Sequence, residues 1–363
     1  MTKITDVNIY DLNFKLIGVL DSYASIIWRP AYYSIGDCEI YVGATKENVS
    51  LLQKNRLAVR NTDVEVDDAG NVIYKNVMII KSIDLVTDAE NGDYLTANGK
   101  ELKYLLHQRI VWTQTNLRGN TEQAIRQLVN ENAISPTDER RKIPGMVLGA
   151  ICGLTDTIEK QVTGDSLDKA VEDICTAYGY GWEIFGLNGK YVLQIYKGVD
   201  RSHDQTERPY VVFSDTYENL YNTDYQMNAE SYANAALIGG EGEGLERTYT
   251  TINEEKEGLD RYEMFVDARD LSSNKGNKNE IPQDQYIDAL KNRGKEKLAE
   301  SAISEGFSGE VLSEGNFEYG IDFDLGDTVT VINSYGIKKN VMVLSAIESE
   351  DDKGKKLLPQ FNM

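Results

Sequence analysis

The first part of this 363-residue chain consists mostly of short segments in which apolar and polar residues alternate. Turn signals separate these segments. NIYDLNFKLIGVLD alternates on both sides of a turn at Asp11–Asn13, and CEIYV, LAVRN and NVMIIKSIDLV continue the pattern. Alternation with a period of two is typical of strands with one buried face. Ala69–Asn71 and Asn91–Gly92 supply the residue types that tight hairpins require. Residues 1–110 are therefore predicted to form a first β-barrel, closed or nearly closed.

Helical periodicity replaces this alternation in residues 111–205, which are predicted to form an α/β insertion domain. NTEQAIRQLVNENA predicts a helix capped by Asn120 or Thr121, and SLDKAVEDICTAYG predicts a second helix that ends at Gly179. A hairpin across Asn188–Gly189 follows. The predicted buried faces of the two helices comprise Ala124, Ile125, Leu128 and Val129, and Leu167, Ala170, Val171, Ile174 and Tyr178.

Strand patterns return in the remainder of the chain. Residues 206–256 are predicted to be returning strands, residues 257–304 a helical excursion, and residues 305–363 the C-terminal strands of a second β-barrel. The predicted fold class is thus α+β and β-rich, with two tube-like β-barrel domains and α/β insertions.

The clearest late helix, QYIDALKNRGKEKLAESA, contains a glycine on its apolar side. Apolar or small residues recur every four positions at Tyr286, Leu290, Gly294, Leu298 and Ala302. Glycine inside a helix costs about 1 kcal/mol relative to alanine. Close approach of another backbone is the predicted reason for Gly294, and an ordinary exposed glycine is the alternative.

The stretch FEYGIDFDLGDTVTV places aspartates at 322, 324 and 327 around Leu325 and Gly326. A calcium-binding EF-hand loop needs an acid at position 5, glycine at position 6 and glutamate at position 12. Here Gly326 falls at position 5, and Asn333 stands where the glutamate should be. Asp322, Asp324, Leu325, Gly326 and Asp327 are therefore predicted to form a structural turn, in which Gly326 permits the bend before a β-branched strand.

A second glycine-rich stretch, GGEGEG at Gly239–Gly244, does not complete the dinucleotide-binding fingerprint. Leu245 occupies the position of the final glycine, and the strand-like TYTTI follows instead of a helix. The glycines are predicted to bend a hairpin with an acidic tip.

Few residues suited to nucleophilic or metal chemistry are present. The chain has three widely spaced cysteines, Cys38, Cys152 and Cys175, and two histidines, His107 and His203. No catalytic, metal-binding or cofactor-binding residue is predicted. Abundant carboxylates leave a glycan hydrolase open as an alternative, and 22 tyrosines leave open a protein that binds host-surface carbohydrate.

The formal net charge of −21 constrains the partners. An acidic surface repels nucleic-acid phosphates, so specific nucleic-acid binding is not expected. No segment has the run of apolar residues that a membrane-spanning helix needs, and the N-terminus has no apolar signal region, so synthesis in the cytoplasm is expected. The basic run Lys291, Arg293, Lys295 and Lys297 is interpreted as a solvated helix face, with contact to an acidic neighbouring subunit as the alternative.

Three stretches, in the same order along the chain, resemble the phage tail hub (baseplate hub) family. They are NIYDLNFKLIGVLDSYASIIWRPAYYSIGDCEIYV near the N-terminus, ENGDYLTANGKELKYLLHQRIV in the middle, and ALKNRGKEKLAES followed by FEYGIDFDLGDTVTV near the C-terminus. Each motif is loose, and their common order is more specific.

The resemblance implies a structural protein without cofactors. Three chains would form a ring of six barrels that joins the six-fold tail tube to a three-fold tip, and DNA would pass through an electronegative bore. Expected partners are further copies of the chain, the distal tail protein, the tape measure protein and tip or fibre proteins. The expected location is the virion tail. Some relatives carry a C-terminal hydrolase or fibre domain, and because this chain ends at LLPQFNM, lytic activity is expected to reside in another polypeptide.

Overall fold

The computed structural model describes residues 5–90, 92–271, 282–311 and 316–362. Within these ranges the helices are α1 Lys46–Leu51, α2 Tyr104–His107, α3 Thr121–Val129, α4 Leu167–Tyr178 and α5 Gln283–Glu300. The strands of the N-terminal half are β1 Val7–Tyr10, β2 Leu16–Leu20, β3 Ser25–Arg29, β4 Asp37–Gly43, β5 Leu57–Arg60, β6 Val64–Val66, β7 Val72–Tyr74, β8 Met78–Val86, β9 Tyr94–Glu101, β10 Thr115–Asn120, β11 Met146–Leu148 and β12 Thr157–Val162. The remaining strands are β13 Gly181–Leu187, β14 Lys190–Tyr196, β15 Val212–Ser214, β16 Leu220–Asn228, β17 Ala235–Gly239, β18 Tyr249–Ile252, β19 Glu263–Asp267, β20 Ser304–Val311, β21 Thr328–Ile332, β22 Lys338–Asp351 and β23 Gly354–Asn362.

Thirteen strands form one large sheet that joins the two ends of the sequence. Its order is β16-β20-β23-β22-β3-β4-β9-β8-β5-β1-β2, and β21 connects β15 to β22. The key pairing is antiparallel between β22 and β3, with Glu348 opposite Trp28. The C-terminal strands therefore complete the sheet that the N-terminal strands begin.

The predicted hairpins are confirmed where the structure describes them. Asp11–Asn13 connect β1 to β2, Ala69–Asn71 connect β6 to β7, and Asn188–Gly189 connect β13 to β14. Asn188 and Gly189 have φ of 49° and 79°, the left-handed conformation of the tightest hairpin turns. The hairpin of β8 and β9 also forms, although Asn91 itself lies outside the described residues. The GGEGEG stretch connects β17 to its antiparallel neighbour β18, as predicted.

The two predicted helices of the insertion are confirmed together with their ends. The side chain of Asn120 caps α3 by accepting a hydrogen bond from the amide of Gln123. Gly179 ends α4 with a left-handed φ of 69°. The predicted apolar faces of both helices are buried, except that Tyr178 is only partly covered.

The chain divides into two compact units, residues 1–224 with 307–363, and residues 225–306. In the first unit, one core lies between strands of the large sheet and includes Ile9, Trp28, Ile40 and Leu95. A second core combines the insertion helices with strand residues from earlier in the chain, Leu57 and Ile79 among them. The predicted five-part division of the chain stays a prediction.

In the second unit, α5 packs on the sheet of β17, β18 and β19. Tyr286 and Leu290 are buried against Ile238 and Val266. The prediction that Gly294 allows close approach of a backbone is wrong. A Cβ atom at Gly294 would lie 2.7 Å from Ile252 Cδ1 and 2.8 Å from Ile238 Cδ1, so side chains of the sheet occupy the space.

The β-rich class is confirmed, whereas the two barrels stay a prediction because no closed ring of strands occurs among the described residues. Of the helices in those same ranges, none combines the length and the apolar character that crossing a membrane requires.

Candidate functional site: a junction of chain segments around Tyr32

The five predicted turn residues lie in a stretch of two consecutive turns that ends at the start of β21. Asp322 accepts a hydrogen bond from the amide of Glu318 at 2.8 Å, and Asp324 accepts one from the amide of Leu325 at 2.7 Å. Gly326 has a φ of 86°, in the region that favours glycine. In the residues that the structure describes, no three His, Cys, Asp or Glu side chains are arranged to hold a metal ion.

Asp327 ties this turn to the segment that follows β14. Its buried carboxylate accepts hydrogen bonds from the Val199 amide and from Arg201 Nε, both at 2.8 Å. The backbones also pair, because the amide of Thr328 donates to the carbonyl of Val199 at 3.0 Å. A charge-assisted pair of this kind, reinforced by backbone bonds, fixes the position of one segment on the other.

The two segments cross at a pair of glycines beside a buried tyrosine. A Cβ atom at Gly198 would lie 2.0 Å from the carbonyl carbon and oxygen of Gly326. A Cβ atom at Gly326, or at Gly181, would lie 2.2 Å from the ring of Tyr32. Every one of these contacts is too short for a real side chain, so the crossing requires glycine at all three positions.

The hydroxyl of Tyr32 forms two hydrogen bonds with the backbone at this crossing. It donates to the carbonyl of Gly179 and accepts from the amide of Gly198, each at 3.1 Å. Burial raises the pKa of Tyr32 to about 12, so the hydroxyl stays protonated and keeps its donor role. We call Tyr32, Gly181, Gly198 and Gly326 the Tyr32 junction, in which four distant chain segments meet.

A buried lysine holds the loop that carries Tyr32. Lys103 donates from Nζ to the carbonyls of Ala31 and Ser34, and lies 3.3 Å from Glu101 Oε2. Glu101 in turn accepts a hydrogen bond from the amide of Gly36 at 2.7 Å. The charge of Lys103 is thus neutralised and its donors are used, as a buried ammonium requires.

Acidic side chains cluster on the other side of the junction. Burial raises the pKa of Glu183 to about 7, and Asp324 shifts it in the same direction while Lys103 opposes it. Burial also raises the pKa of Asp324. Tyr196 and Tyr319 have pKa values well above normal, because of burial first and then of these carboxylates. Asp324 is exposed and the other three groups are half-buried, so the four groups interact in a region that is only partly shielded from solvent.

Near the start of α4, a histidine, an aspartate and a serine do not form a catalytic arrangement. Asp168 accepts a hydrogen bond from Ser166 Oγ, and its other oxygen lies 2.9 Å from His107 Nδ1. A triad needs the histidine between the hydroxyl and the carboxylate. Here the carboxylate lies in the middle, so His107 cannot take a proton from Ser166.

The sequence predicts a structural turn at 322–327 but does not indicate which residues contact it. Tyr32 lies in the stretch WRPAYYSIGDCE, and Gly198 is a single glycine after a strand. Neither Arg201 nor Glu183 belongs to a recognisable motif. The one sequence signal for Tyr32 is its place in WRPAYY, which comes shortly before a glycine and a predicted strand.

A known protein family matches nearly the whole chain. The model of the siphovirus ReqiPepy6 Gp37-like protein family matches residues 6–361. The chain belongs to this family. All four residues of the Tyr32 junction lie within the residues that the family model matches. No protein of curated function matches the sequence.

Solved tail proteins share the fold of this Gp37-like protein over nearly its whole length. The tail protein from Neisseria meningitidis MC58 has a TM-score of 0.59 at 14% identity, covering 99% of this chain and 96% of its own. The 43 kDa tail protein of prophage MuSo2 from Shewanella oneidensis has a TM-score of 0.59 at 10% identity, with 98% of each chain covered. Prophage tail protein gp18 from Listeria monocytogenes EGD-e has a TM-score of 0.53 at 14% identity, with 98% and 94% covered.

The predicted recognition as a phage tail protein is thereby confirmed, as is the prediction that the chain is not an enzyme. The family model is that of a siphovirus protein, and the three solved structures are tail proteins, two of them from prophages. The Tyr32 junction accordingly serves the architecture of the first unit.

Proposed function

We propose that three copies of this chain form the hub of a phage or prophage tail. Each copy would contribute two barrel-like domains, so that six barrels match the six-fold tail tube on one side and a three-fold tip on the other. The end-to-end likeness to tail proteins carries this proposal, because it extends over 98–99% of the chain.

The domain division belongs to the same proposal. Residues 1–110 would form the first barrel, 111–205 the α/β insertion, 206–256 returning strands, 257–304 a helical excursion and 305–363 the closing strands of the second barrel. The pairing of β22 with β3 supports this scheme, since it brings N-terminal and C-terminal strands into one sheet. The turn at Asp322–Asp327 would hold β21 in place through Asp327.

DNA would pass through the bore of the ring without specific binding. A net charge of −21 per copy supports this role, because negative walls prevent phosphate adsorption. The distal tail protein, the tape measure protein and tip or fibre proteins would adjoin the hub in the virion tail.

Electron microscopy of the purified protein tests the proposal. We expect a ring with a central hole and, by light scattering, a mass of three times 40.8 kDa. Antibodies against the chain should label the distal end of isolated tails. A single-chain mass at every concentration, together with tails that carry no label, would overturn the proposal.

A further inference from the structure

An exposed indole and two arginines form a surface patch in the insertion region. Trp112 is 66% exposed and Ile110 is 42% exposed. The guanidinium carbon of Arg141 lies 5.0 Å from the centroid of the Trp112 ring, and Arg109 lies beside Arg141. We call Arg109, Ile110, Trp112 and Arg141 the Trp112 patch. Tryptophan and arginine are among the residue types enriched at the energetic centres of protein interfaces.

Neither arginine of the patch forms a salt bridge among the described residues. Arg109 donates to the carbonyls of Gln108 at 2.9 Å and Lys142 at 3.3 Å, and also to that of Arg141. Arg141 donates to the carbonyl of Ile110 at 2.7 Å. Burial and the neighbouring charge of Arg141 lower the pKa of Arg109. The two like charges thus lie close together and form no salt bridge among the described residues. Asp138, whose pKa is lowered chiefly by its hydrogen bond with Arg140, also interacts with the charge of Arg141.

The patch is held in place by a buried side chain. The Oδ1 atom of Asn132 accepts hydrogen bonds from the amide of Trp112 at 3.1 Å and from Arg141 at 3.4 Å. Asn132 is almost fully buried, and its own amide donates to the carbonyl of Leu128 in α3 at 2.9 Å. A patch positioned from the protein interior loses little conformational entropy when a partner covers it.

Charge identifies the kind of partner. Elsewhere in the first unit, arginines such as Arg29, Arg60 and Arg201 pair with carboxylates of the same chain. Two copies that each carry a net charge of −21 repel one another, so their contact surface must contain cations that are not already neutralised. The Trp112 patch supplies such cations.

We propose that the Trp112 patch is a contact surface for a second copy of this chain. The second copy brings carboxylates to Arg109 and Arg141 and an aliphatic side chain to the exposed face of Trp112. The inference rests on the proposed assembly into a ring. A phosphate polymer fits the patch less well, because it would satisfy the guanidinium groups while leaving the indole and Ile110 in water.

Variants of the patch test the inference in solution. Trp112→Ala and the double change Arg109→Glu with Arg141→Glu should each weaken self-association by tenfold or more in light-scattering titrations. Association of the unchanged protein should weaken with added salt. Two matched controls should not alter it: Tyr335→Ala, at an aromatic residue that is 89% exposed, and Arg118→Glu, at an exposed arginine 3.1 Å from Glu159.

Photo-crosslinking gives a second readout that needs no change of charge. Trp112 is replaced by benzoylphenylalanine, and Tyr335 is replaced in the same way as a control. Irradiation of the concentrated protein and of assembled tails should cross-link position 112 to an acidic segment of another copy, as identified by mass spectrometry. Cross-links to a different tail protein, to nucleic acid or to nothing would overturn the inference.

The outcome separates this inference from the hub proposal. If rings form and neither the patch variants nor the cross-links involve position 112, the inference is wrong and the hub remains. If no rings form and tails lack the protein, both are wrong.

Discussion

Arginine side chains have different hydrogen-bond partners at the Tyr32 junction and at the Trp112 patch. At the junction, Arg201 donates to the buried carboxylate of Asp327, and the surrounding glycines leave no free space. At the patch, Arg109 and Arg141 donate to backbone carbonyls and, for Arg141, to the side chain of Asn132, with no salt bridge to a carboxylate in the part of the chain that the structure describes. The indole of Trp112 is exposed. The comparison teaches that arginines hold chain segments together in two ways, with a carboxylate partner at Asp327 and with carbonyl partners alone at Arg109. The chain leaves cations available where we propose that copies meet.

The largest expected effect is at the backbone crossing. Gly326→Ala places a Cβ atom 2.2 Å from the Tyr32 ring at a φ of 86°. Because both backbone and ring must move, we expect a loss of at least about 4 kcal/mol in the free energy of unfolding, measured by chemical denaturation.

Gly320→Ala is the matched control for that substitution. Gly320 has a φ of 82° in the same loop region, and nothing lies within 4 Å of its added Cβ atom. Only the backbone penalty of about 1–2 kcal/mol is expected there. Equal losses for the two variants would show that the close packing against Tyr32 contributes nothing.

The next effect concerns the ion pair at the junction. Arg201→Ala leaves the buried carboxylate of Asp327 without its charged partner, so the free energy of unfolding should fall by about 3 kcal/mol. Arg118→Ala, which removes an exposed pair with Glu159, should change it by less than about 0.5 kcal/mol. Thermal and urea unfolding of both variants would measure the difference, and similar small changes would contradict the distinction drawn here.

The acidic cluster predicts a smaller effect that depends on pH. The pKa of Glu183 is raised from 4.5 to about 7 in the folded protein. Between these values the folded state binds more protons than the unfolded state, so this group lowers stability as pH rises through that window. Glu183→Gln should therefore raise the free energy of unfolding by about 2 kcal/mol above pH 7, and by little below pH 4.5.

Urea unfolding on both sides of this window measures that change. The exposed Glu159, changed to Gln in the same way, serves as the control for removing a carboxylate. A stabilisation that is equal at both ends of the window would mean that the Glu183 carboxyl is not what titrates.

The smallest effect on stability is expected at the patch. Arg109→Ala removes hydrogen bonds to carbonyls at a partly exposed position and also removes like-charge repulsion with Arg141. The two changes oppose each other, so the free energy of unfolding of a single copy should change by about 1 kcal/mol or less. A loss as large as that of Arg201→Ala would mean that the patch stabilises the single chain.

Local features were read correctly from the sequence because their causes lie within a few residues. The cap of α3 at Asn120, the end of α4 at Gly179 and the hairpin at Asn188–Gly189 each depend on one or two side chains and their own backbone. The order of three loose motifs was also enough to indicate the phage tail family.

The residues that contact Gly294 and Asp327 could not be predicted from the sequence. The spacing of Gly294 along α5 revealed that something approaches the helix, but not that the side chains of Ile238 and Ile252 do so. Likewise, DLGDTVTV indicated a turn, whereas Val199 and Arg201 come from a segment more than a hundred residues earlier.

By itself, then, the sequence determined where the strands, helices and turns form, how acidic the surface is, and which family the chain resembles. Only the tertiary structure decided that β22 pairs with β3, that three glycines enclose Tyr32, and that Arg109 and Arg141 form no salt bridge within the described ranges. The physical reason is that turns and caps are satisfied by neighbours along the chain. Close crossings and unneutralised charges depend instead on which distant segments the folded chain brings together.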